Sequence, residues 1–194
     1  MNFGAKDFQL TQIHLLILNK LASILKQGIA KIIAHKTKKS TERWSLNPVK
    51  TQNQVFKRLL KSAQNTKFGH DHNFSKIQVY EDFVKNIPVR DYEGFRAYIE
   101  LIKKGEKNIL WKGLPVYFAI TSGTTSGIKY IPITKESLPE HFNASKNAML
   151  CYINETGNTE FLSGKLIFLQ GSPALYFEGA IKTGRLSGIS AHHV

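Results

Sequence analysis

The feature that most constrains the fold of this chain is a nine-residue segment rich in small polar residues, TSGTTSGIK at 121–129, enclosed by two apolar runs. The runs VYFAI (116–120) and KYIPI (129–133) have the length and the aromatic and β-branched content of buried strands. A helical pattern from about 135 to 153 and a third strand-like run, KLIFL at 165–169, follow them. The order strand, loop, helix, strand predicts an α/β sheet, and because three or four strands are few for such a fold, we expect the sheet to be incomplete at its C-terminus.

The chain ahead of this segment has helical periodicity. Its apolar residues recur in four segments, which polar stretches separate. The helical segments are 8–34, 52–64, 79–87 and 92–104, and the polar stretches predict a linker at 35–48 and a loop at 66–74. Asp91 and Thr134 are candidate helix caps, and Gly69 and Gly105 are candidate helix ends. We therefore expect a basic amphipathic helix with its linker at 1–48 and a second part, which carries the sheet, at 49–194.

The net charge of +13 is unevenly distributed along the chain. Residues 1–70 contain 13 Lys and Arg against 2 Asp and Glu, whereas residues 71–194 contain 14 against 12. Such a basic excess is compatible with binding to nucleic acid, to a membrane surface or to anionic substrates. Because no nucleic-acid-binding fold is recognisable, a dedicated nucleic-acid function is disfavoured. A basic module that binds nucleic acid or an acidic partner, with the Gly/Ser segment as a mere turn, stays as the alternative hypothesis.

Three lysines, Lys20, Lys26 and Lys31, interrupt the apolar stripe at 8–34. They exclude a membrane span, which needs about 20 nearly uncharged residues. Packing of the stripe on the rest of the protein is favoured over binding to a membrane surface. No secretory signal is recognisable, and the single cysteine, Cys151, excludes a disulfide scaffold and a Cys-based zinc site. These features indicate a reduced, cytoplasmic protein.

The composition of the 121–129 segment suits a loop that holds phosphate groups. Its glycines allow backbone amides to approach a ligand closely, its hydroxyls add donors without bulk, and Lys129 adds a cation. The segment also leaves the end of a buried strand, where α/β sheets tend to bind ligands. A flexible hairpin turn is the alternative. The candidate phosphate contacts are Ser122, Gly123, Thr124, Thr125, Ser126, Gly127 and Lys129.

Two other glycine-containing motifs do not fit this segment. A Walker loop has four residues between its glycines, followed by Gly-Lys-Ser/Thr. Here Gly123 and Gly127 enclose three residues, and Ile128 precedes the lysine. A hydrolase nucleophile elbow has serine midway between two glycines, whereas Ser126 is adjacent to the second one. The spacing therefore excludes both motifs.

Residues 121–129 resemble the Ser/Thr/Gly-rich phosphate loop of acyl-adenylate-forming enzymes. The closer match is the auxin-responsive Gretchen Hagen family of acyl-acid–amido synthetases, in its bacterial branch. The segments AQNTKFGHDHNF, FVKNIPVRDYEGFRAYIELIKKGEKNIL and FAITSGTTSGIKYIPIT follow that family's N-terminal half in order. The resemblance covers about residues 50–194 and implies that 49–194 is the N-terminal portion of an adenylate-forming domain in a longer protein.

This resemblance implies a two-step reaction. A carboxylic acid attacks the α-phosphate of ATP to give an acyl-adenylate and pyrophosphate, and an amine, usually that of an amino acid, then takes the acyl group. ATP and Mg²⁺ are the implied cofactors, the seven residues above the implied phosphate contacts, and Lys129 the implied catalytic cation. The family's adenine and ribose motifs and its C-terminal domain are not found in these 194 residues, so we expect the chain alone to be inactive. A non-catalytic fragment is the other alternative.

Other side chains are weaker candidates for a site. The sequence HDH at 70–72 has too few ligands at a suitable spacing for a metal site, and no metal site is predicted. Tyr176 and Phe177 are expected in the core, with a function in an acyl pocket as the less favoured alternative.

Overall fold

The computed structural model describes residues 3–121, 127–165, 167 and 169–193, with side chains from residue 17 onward. The described chain is helical up to Lys103 and contains sheet strands after that residue. The predicted α/β fold with a helical N-terminal region is confirmed. The α-helices are α1 (Phe3–Ser45), α2 (Pro48–Ala63), α3 (Lys67–Asp71), α4 (Tyr80–Asn86), α5 (Arg96–Lys103), α6 (Leu138–Thr156) and α7 (Leu186–Ser190), and the strands are β1 (Tyr117–Thr121), β2 (Lys129–Ile133), β3 (Tyr176–Glu178) and β4 (Ile181–Arg185).

The chain divides into two compact units. The first comprises Met1–Leu46 and Asn143–Phe168, and the second comprises Asn47–Phe142 and Leu169–Val194. The first unit therefore consists mainly of α1, most of α6 and a short 3-10 helix, Glu160–Ser163. The second unit holds the sheet and helices α2 to α5 and α7.

In the first unit, α1 is a single helix of 43 residues. The linker predicted at 35–48 is therefore wrong over most of its length, because the helix continues to Ser45. No glycine or proline occurs in the stretch 35–47 to stop it, and Lys38 holds Glu155 of α6 in an ion pair at 2.5 Å. The polar stretch is thus an exposed helix face. Neither α1 nor any other helix in the described residues is long and apolar enough to span a membrane.

A small residue lets α1 pack closely on α6 within the first unit. Ala34 has no exposed surface and lies in a cluster with Leu150 and Ile153 of α6. Near it, the ammonium of Lys26 donates a 2.7 Å hydrogen bond to the carbonyl oxygen of Leu162. One face of α1 is therefore covered by the rest of its unit.

In the second unit, the four described strands form one sheet in the order β2–β1–β4–β3. Strand β1 pairs antiparallel with β2 and parallel with β4, and β4 pairs antiparallel with β3. Phe118 of the central strand is fully buried in a cluster with Ile99 of α5 and Ile181 of β4. Strands β1 and β2 confirm those predicted at 116–120 and 129–133.

The third predicted strand, at 165–169, is not the parallel neighbour of β1. Leu166 and Phe168 lie outside the described residues, and Lys165, Ile167 and Leu169 belong to no strand. The parallel neighbour is β4, IKTGR, which has two charged residues and one glycine. Its sequence lacks the continuous apolar run by which a buried strand is recognised.

Gly179 closes the β3–β4 hairpin against the end of α5. Its φ of +58° is in the left-handed region, and a Cβ at this position would collide with the carbonyl oxygen of Lys103. The same carbonyl oxygen accepts a 3.1 Å hydrogen bond from the N–H of Ala180. Only glycine combines this φ with so close an approach, so the hairpin is fixed to the helix at this point.

The loop predicted at 66–74 contains a short helix, α3. Gly69 therefore lies inside a helix and does not end one, and a Cβ on it would collide with the carbonyl oxygen of Ala63 in α2. Thr66 caps α3, because its hydroxyl oxygen accepts a 3.0 Å hydrogen bond from the N–H of Gly69. The glycine is required where the two helices touch.

Two predicted helix caps are confirmed. Asp91 Oδ1 accepts a 3.1 Å hydrogen bond from the N–H of Gly94, ahead of α5. Thr134 Oγ1 accepts a 3.1 Å hydrogen bond from the N–H of Ser137, and the hydroxyl of Ser137 accepts one of 2.9 Å from the N–H of Thr134. Helix α6 begins at Leu138, three residues later than predicted.

Candidate functional site

The segment 121–129 connects the two strands of a β-hairpin. Thr121, the last residue of β1, and Lys129, the first residue of β2, are directly paired in the antiparallel register. The structure therefore defines the two ends of the segment. Of the seven predicted phosphate contacts, Gly127 and Lys129 are described, and Ser122, Gly123, Thr124, Thr125 and Ser126 lie outside the described residues.

The backbone conformation at position 127 favours glycine. The φ of Gly127 is +77°, which L side chains rarely adopt, and no atom of the described residues lies within 4 Å of a Cβ built on it. Crowding by those residues therefore does not select glycine at this position. The left-handed conformation alone disfavours other residues, by about 1–2 kcal/mol.

Lys129 is a half-buried cation at the start of β2. Its ammonium nitrogen lies 5.9 Å from the ring centroid of Tyr92, at the edge of cation–π range. It makes no ion pair with any residue that the structure describes. A neighbouring carboxylate, Glu93, is instead held by Arg96 through bonds of 2.6 and 2.8 Å. These bonds, and to a lesser extent the charge of Lys129, lower the pKa of Glu93.

Tyr92 holds β2 beside that lysine. Its hydroxyl oxygen accepts a 2.9 Å hydrogen bond from the N–H of Tyr130, the residue after Lys129. Sequence reasoning assigned Tyr92 only to a helix face and missed this contact. No local signal links residues 92 and 130, because their proximity depends on how the helical segment meets the sheet.

The carboxyl ends of β1 and β4 meet at the sheet edge that carries the 121–129 segment. Ile120 is paired with Arg185 in the parallel register, and α7 follows β4 directly. The segment QGSPA (170–174) lies against α7, where the N–H of Gly171 donates a 3.0 Å hydrogen bond to Ser187 Oγ. The crevice outside the carboxyl ends of strands is where open α/β sheets generally bind ligands.

The aromatic pair Tyr176 and Phe177 is not in the core. These side chains are 44% and 66% exposed on β3, which is an edge strand. The expectation that they are buried is wrong, because no further strand is paired with β3 in the described residues. An acyl-pocket function for either side chain stays a prediction.

The HDH motif makes structural hydrogen bonds. His72 Nδ1 lies 2.9 Å from the carbonyl oxygen of Phe68, and its Nε2 accepts a 2.7 Å hydrogen bond from Arg90. The hydroxyl of Tyr98 donates a 2.8 Å hydrogen bond to Asp71 Oδ2. Within the described ranges, no group of three His, Cys, Asp or Glu side chains is placed to hold a metal ion.

A cleft of about 710 Å³ lies at the opposite end of the β1–β2 hairpin. Its walls include Arg58 of α2, Pro115 ahead of β1 and Thr134 after β2. Trp111, also in the wall, donates a 3.2 Å hydrogen bond from its indole N–H to Glu136 Oε2. Sequence reasoning did not predict this cleft. Because it adjoins the other ends of both strands, it is separate from the candidate phosphate site.

Known proteins resemble this chain in sequence and in fold. Residues 37–188 match the model of the GH3 family N-terminal domain. The indole-3-acetic acid-amido synthetase GH3.15 of Arabidopsis thaliana is 34% identical over 118 residues, which cover 59% of this chain and 20% of the relative. The chain therefore spans about a fifth of the length of that relative.

Two solved structures have a similar fold. The GH3.15 acyl acid amido synthetase matches with a TM-score of 0.67 and 21% identity, over 77% of this chain and 27% of that one. The AtGH3.15 acyl acid amido synthetase in complex with 2,4-DB matches with a TM-score of 0.60 and 25% identity, over 73% and 25% of the two chains. The family match covers well over half of the 194 residues. The chain therefore belongs to the GH3 family, and residues 37–188 correspond to the N-terminal domain of that family.

Proposed function

We propose that this chain supplies the ATP-phosphate loop of a ligase that joins a carboxylic acid to an amine. In the first step a carboxylate oxygen attacks the α-phosphorus of ATP, the bond from that phosphorus to the bridging oxygen breaks, and pyrophosphate leaves. In the second step the amine nitrogen attacks the acyl carbon of the adenylate, AMP leaves and an amide forms. The names of the relatives, which are amido synthetases, support this class of reaction.

The position of Lys129 is the observation that most directly supports the proposal. This cation stands at one end of the 121–129 segment, half-buried and without an ion pair among the described residues. A phosphate chain held by the segment would meet the ammonium group together with backbone N–H groups that glycine leaves accessible. We assign the charge stabilisation of the departing pyrophosphate to Lys129. The phosphate contacts proposed beside it are Ser122, Gly123, Thr124, Thr125, Ser126 and Gly127.

Mg²⁺ is proposed to enter the site together with ATP. In nucleotide sites this ion is held largely by phosphate oxygens and water, with one or two carboxylates. The hydroxyls and the lysine of the 121–129 segment suit the nucleotide rather than the ion, since Lys129 is a cation and hydroxyl groups can donate to phosphate oxygens. The metal would then lower the charge of the phosphates that the segment receives.

The substrates and the setting are proposed by analogy with the relatives. The names of the relatives include indole-3-acetic acid, acyl acid and amido synthetase. We therefore propose a carboxylic acid and an amino acid as the two substrates. A reducing, cytoplasmic compartment is proposed on the single cysteine, Cys151, which is free.

Binding of ATP to the 194-residue chain, measured by isothermal titration calorimetry, tests the loop assignment. A hydrogen bond to a charged group contributes about 1.5–3 kcal/mol, so Lys129→Ala should weaken ATP binding at least about tenfold. Lys135→Ala removes an exposed lysine six residues further on and serves as the matched control, with the same affinity as the unmodified chain. Equal ATP affinity for both variants would contradict the assignment.

The reaction itself is tested in a hybrid enzyme. Residues 116–133 of this chain replace the matching strands and loop of the Arabidopsis relative, and pyrophosphate release is measured with ATP and indole-3-acetic acid. We expect release that requires both compounds, and a loss of about tenfold or more on Lys129→Ala. A folded hybrid that releases no pyrophosphate would contradict the proposed function of the segment. The isolated chain, whose match spans about a fifth of the relative's length, is expected to release none.

A further inference from the structure

One face of α1 carries an exposed apolar row, formed by Leu18, Leu21, Leu25, Ile29 and Ile32. Their spacing of three or four residues puts all five on the same side of the helix. Between 48% and 66% of each side chain is exposed. Single apolar residues on a surface are ordinary, but a contiguous row of this size marks an interaction surface.

The opposite face of the same helix is already occupied. Ala34 is fully buried against Leu150 of α6, and the ammonium of Lys26 bonds to the carbonyl oxygen of Leu162. The contacts of α1 within its own unit are therefore made by residues outside the exposed row. The packing that the sequence favours for the 8–34 stripe therefore leaves this row uncovered within the first unit.

The helix that carries this row is basic, and Lys36 and Lys39 continue the spacing of the row beyond Ile32. Residues 8–41 contain six lysines and no aspartate or glutamate. Two of the six bond within the unit, Lys26 to a carbonyl and Lys38 to a carboxylate. The other four are exposed and form no ion pair with any described residue; they are Lys20, Lys31, Lys36 and Lys39.

We infer that this face of α1 binds the surface of a bilayer that contains anionic phospholipid, with the helix lying in the interface. An apolar row continued by lysines on the same face suits a helix that lies in the interface. The methylene stems of the lysines can lie along apolar surface while their ammonium groups reach lipid phosphates. No described helix is apolar enough to cross the bilayer, which leaves the interface as the depth of binding.

Charge decides between this partner and a second copy of the chain. Two α1 helices joined through their apolar rows would bring unpaired lysines together with no acidic residue from 8–41 to offset them. Anionic head groups neutralise the same lysines. The row also lies ahead of residue 37, where the match to the GH3 N-terminal domain begins. The inference is therefore independent of the proposed catalytic function.

Vesicle co-sedimentation tests whether the charges of anionic lipid and of the lysines contribute to binding. We expect the chain to bind vesicles of phosphatidylcholine mixed with phosphatidylglycerol and to bind phosphatidylcholine alone far more weakly. Each lysine near an anionic surface contributes about fivefold, so Lys36→Gln combined with Lys39→Gln should weaken binding roughly thirtyfold. Lys104→Gln with Lys107→Gln makes the same change in net charge at two exposed sites in the second unit and should leave binding unchanged.

A second pair of variants tests whether the apolar row contributes to vesicle binding. Leu21→Gln with Leu25→Gln should reduce binding to the mixed vesicles at least about tenfold, because each leucine loses its burial in the acyl region. Leu46→Gln with Val89→Gln alters two exposed apolar residues outside the row and is the matched control. Circular dichroism checks that all variants keep the helical content of the unmodified chain.

Three results would overturn the inference. The first is equal binding to vesicles with and without phosphatidylglycerol. The second is a stable dimer in analytical ultracentrifugation that Leu21→Gln with Leu25→Gln converts to monomer, which would assign the row to a second copy. The third is binding to duplex DNA that weakens steeply with salt, without binding to anionic vesicles.

Discussion

The N–H of Tyr130 donates a 2.9 Å hydrogen bond to the hydroxyl oxygen of Tyr92, and this bond joins β2 to the helical segment ahead of α5. The ring of the same tyrosine lies 5.9 Å from the ammonium of Lys129. Tyr92 therefore contacts both the backbone and the side chain at one end of the 121–129 segment.

Replacing Tyr92 with phenylalanine removes the hydrogen bond but keeps the ring. A hydrogen bond of this kind contributes about 1 kcal/mol, so we expect Tyr92→Phe to lower the free energy of unfolding in urea by about that amount. Tyr80→Phe is the control, because Tyr80 is exposed and its hydroxyl has no hydrogen-bond partner among the described residues. A similar loss in both variants would mean that the Tyr92–Tyr130 bond adds nothing to stability.

Two glycine-to-alanine variants separate backbone strain from crowding. Gly113 has φ +75° with no neighbour near a Cβ position, whereas Gly179 has φ +58° and abuts the carbonyl oxygen of Lys103. We expect Gly113→Ala to cost about 1–2 kcal/mol of unfolding free energy through strain alone. Gly179→Ala should cost at least about 1 kcal/mol more, since atoms must also move apart. If urea denaturation shows equal losses of unfolding free energy for the two variants, the β3–β4 hairpin is not held against α5.

The pKa of Asp71 reports on the bond between α3 and α5. The hydroxyl of Tyr98 is the main cause that lowers this pKa, and Lys67 lowers it further. Tyr98→Phe should therefore raise the pKa of Asp71 toward its ordinary value, as measured by NMR titration of the carboxyl carbon. An unchanged pKa would contradict a persistent hydrogen bond in solution.

The same bond predicts how stability depends on pH. Because the folded pKa of Asp71 lies below the unfolded one, the bond stabilises the fold above about pH 4, and this stabilisation is lost as the pH falls through the folded pKa. Tyr98→Phe should show a shallower loss of stability in that acid range. Urea denaturation at a series of pH values measures the difference.

A larger side chain at the contact between α1 and α6 tests the packing within the first unit. Ala34→Leu adds volume where no surface is exposed, and such overpacking costs about 1–3 kcal/mol. Ala22→Leu adds the same volume at an exposed position of α1 and should change stability by less than about 0.5 kcal/mol. Helical circular dichroism on heating measures both, and equal melting temperatures would contradict the observed packing.

The parts of the fold that the sequence predicts are those determined by residues close together in the chain. Strands β1 and β2 are uninterrupted apolar runs beside a glycine-rich segment, and that pattern depends on no distant residue. The caps at Asp91 and Thr134 are also local, because each side chain bonds to an amide three residues away. The ends of the candidate site were predictable for the same reason.

The parts that escaped prediction depend on distant partners. Strand β4 is buried at Ile181 and Thr183 because it pairs with β1, which is more than sixty residues earlier in the chain. The polar stretch at 35–45 is helical because no residue stops the helix and α6 covers one side of it. The contact of Tyr92 with Tyr130 likewise has no local signal. The phosphate contacts in the 121–129 segment stay a prediction.

The parallel pairing of β1 with β4 has a consequence for the order of folding. Thr121 meets Lys129 across eight residues of chain, whereas Ile120 meets Arg185 only across sixty-five. Closing the longer loop costs about 2 kcal/mol more chain entropy, so the hairpin should form early and β4 should join it late. The nascent chain would thus possess both strands that anchor its glycine-rich segment well before the neighbouring sheet edge exists.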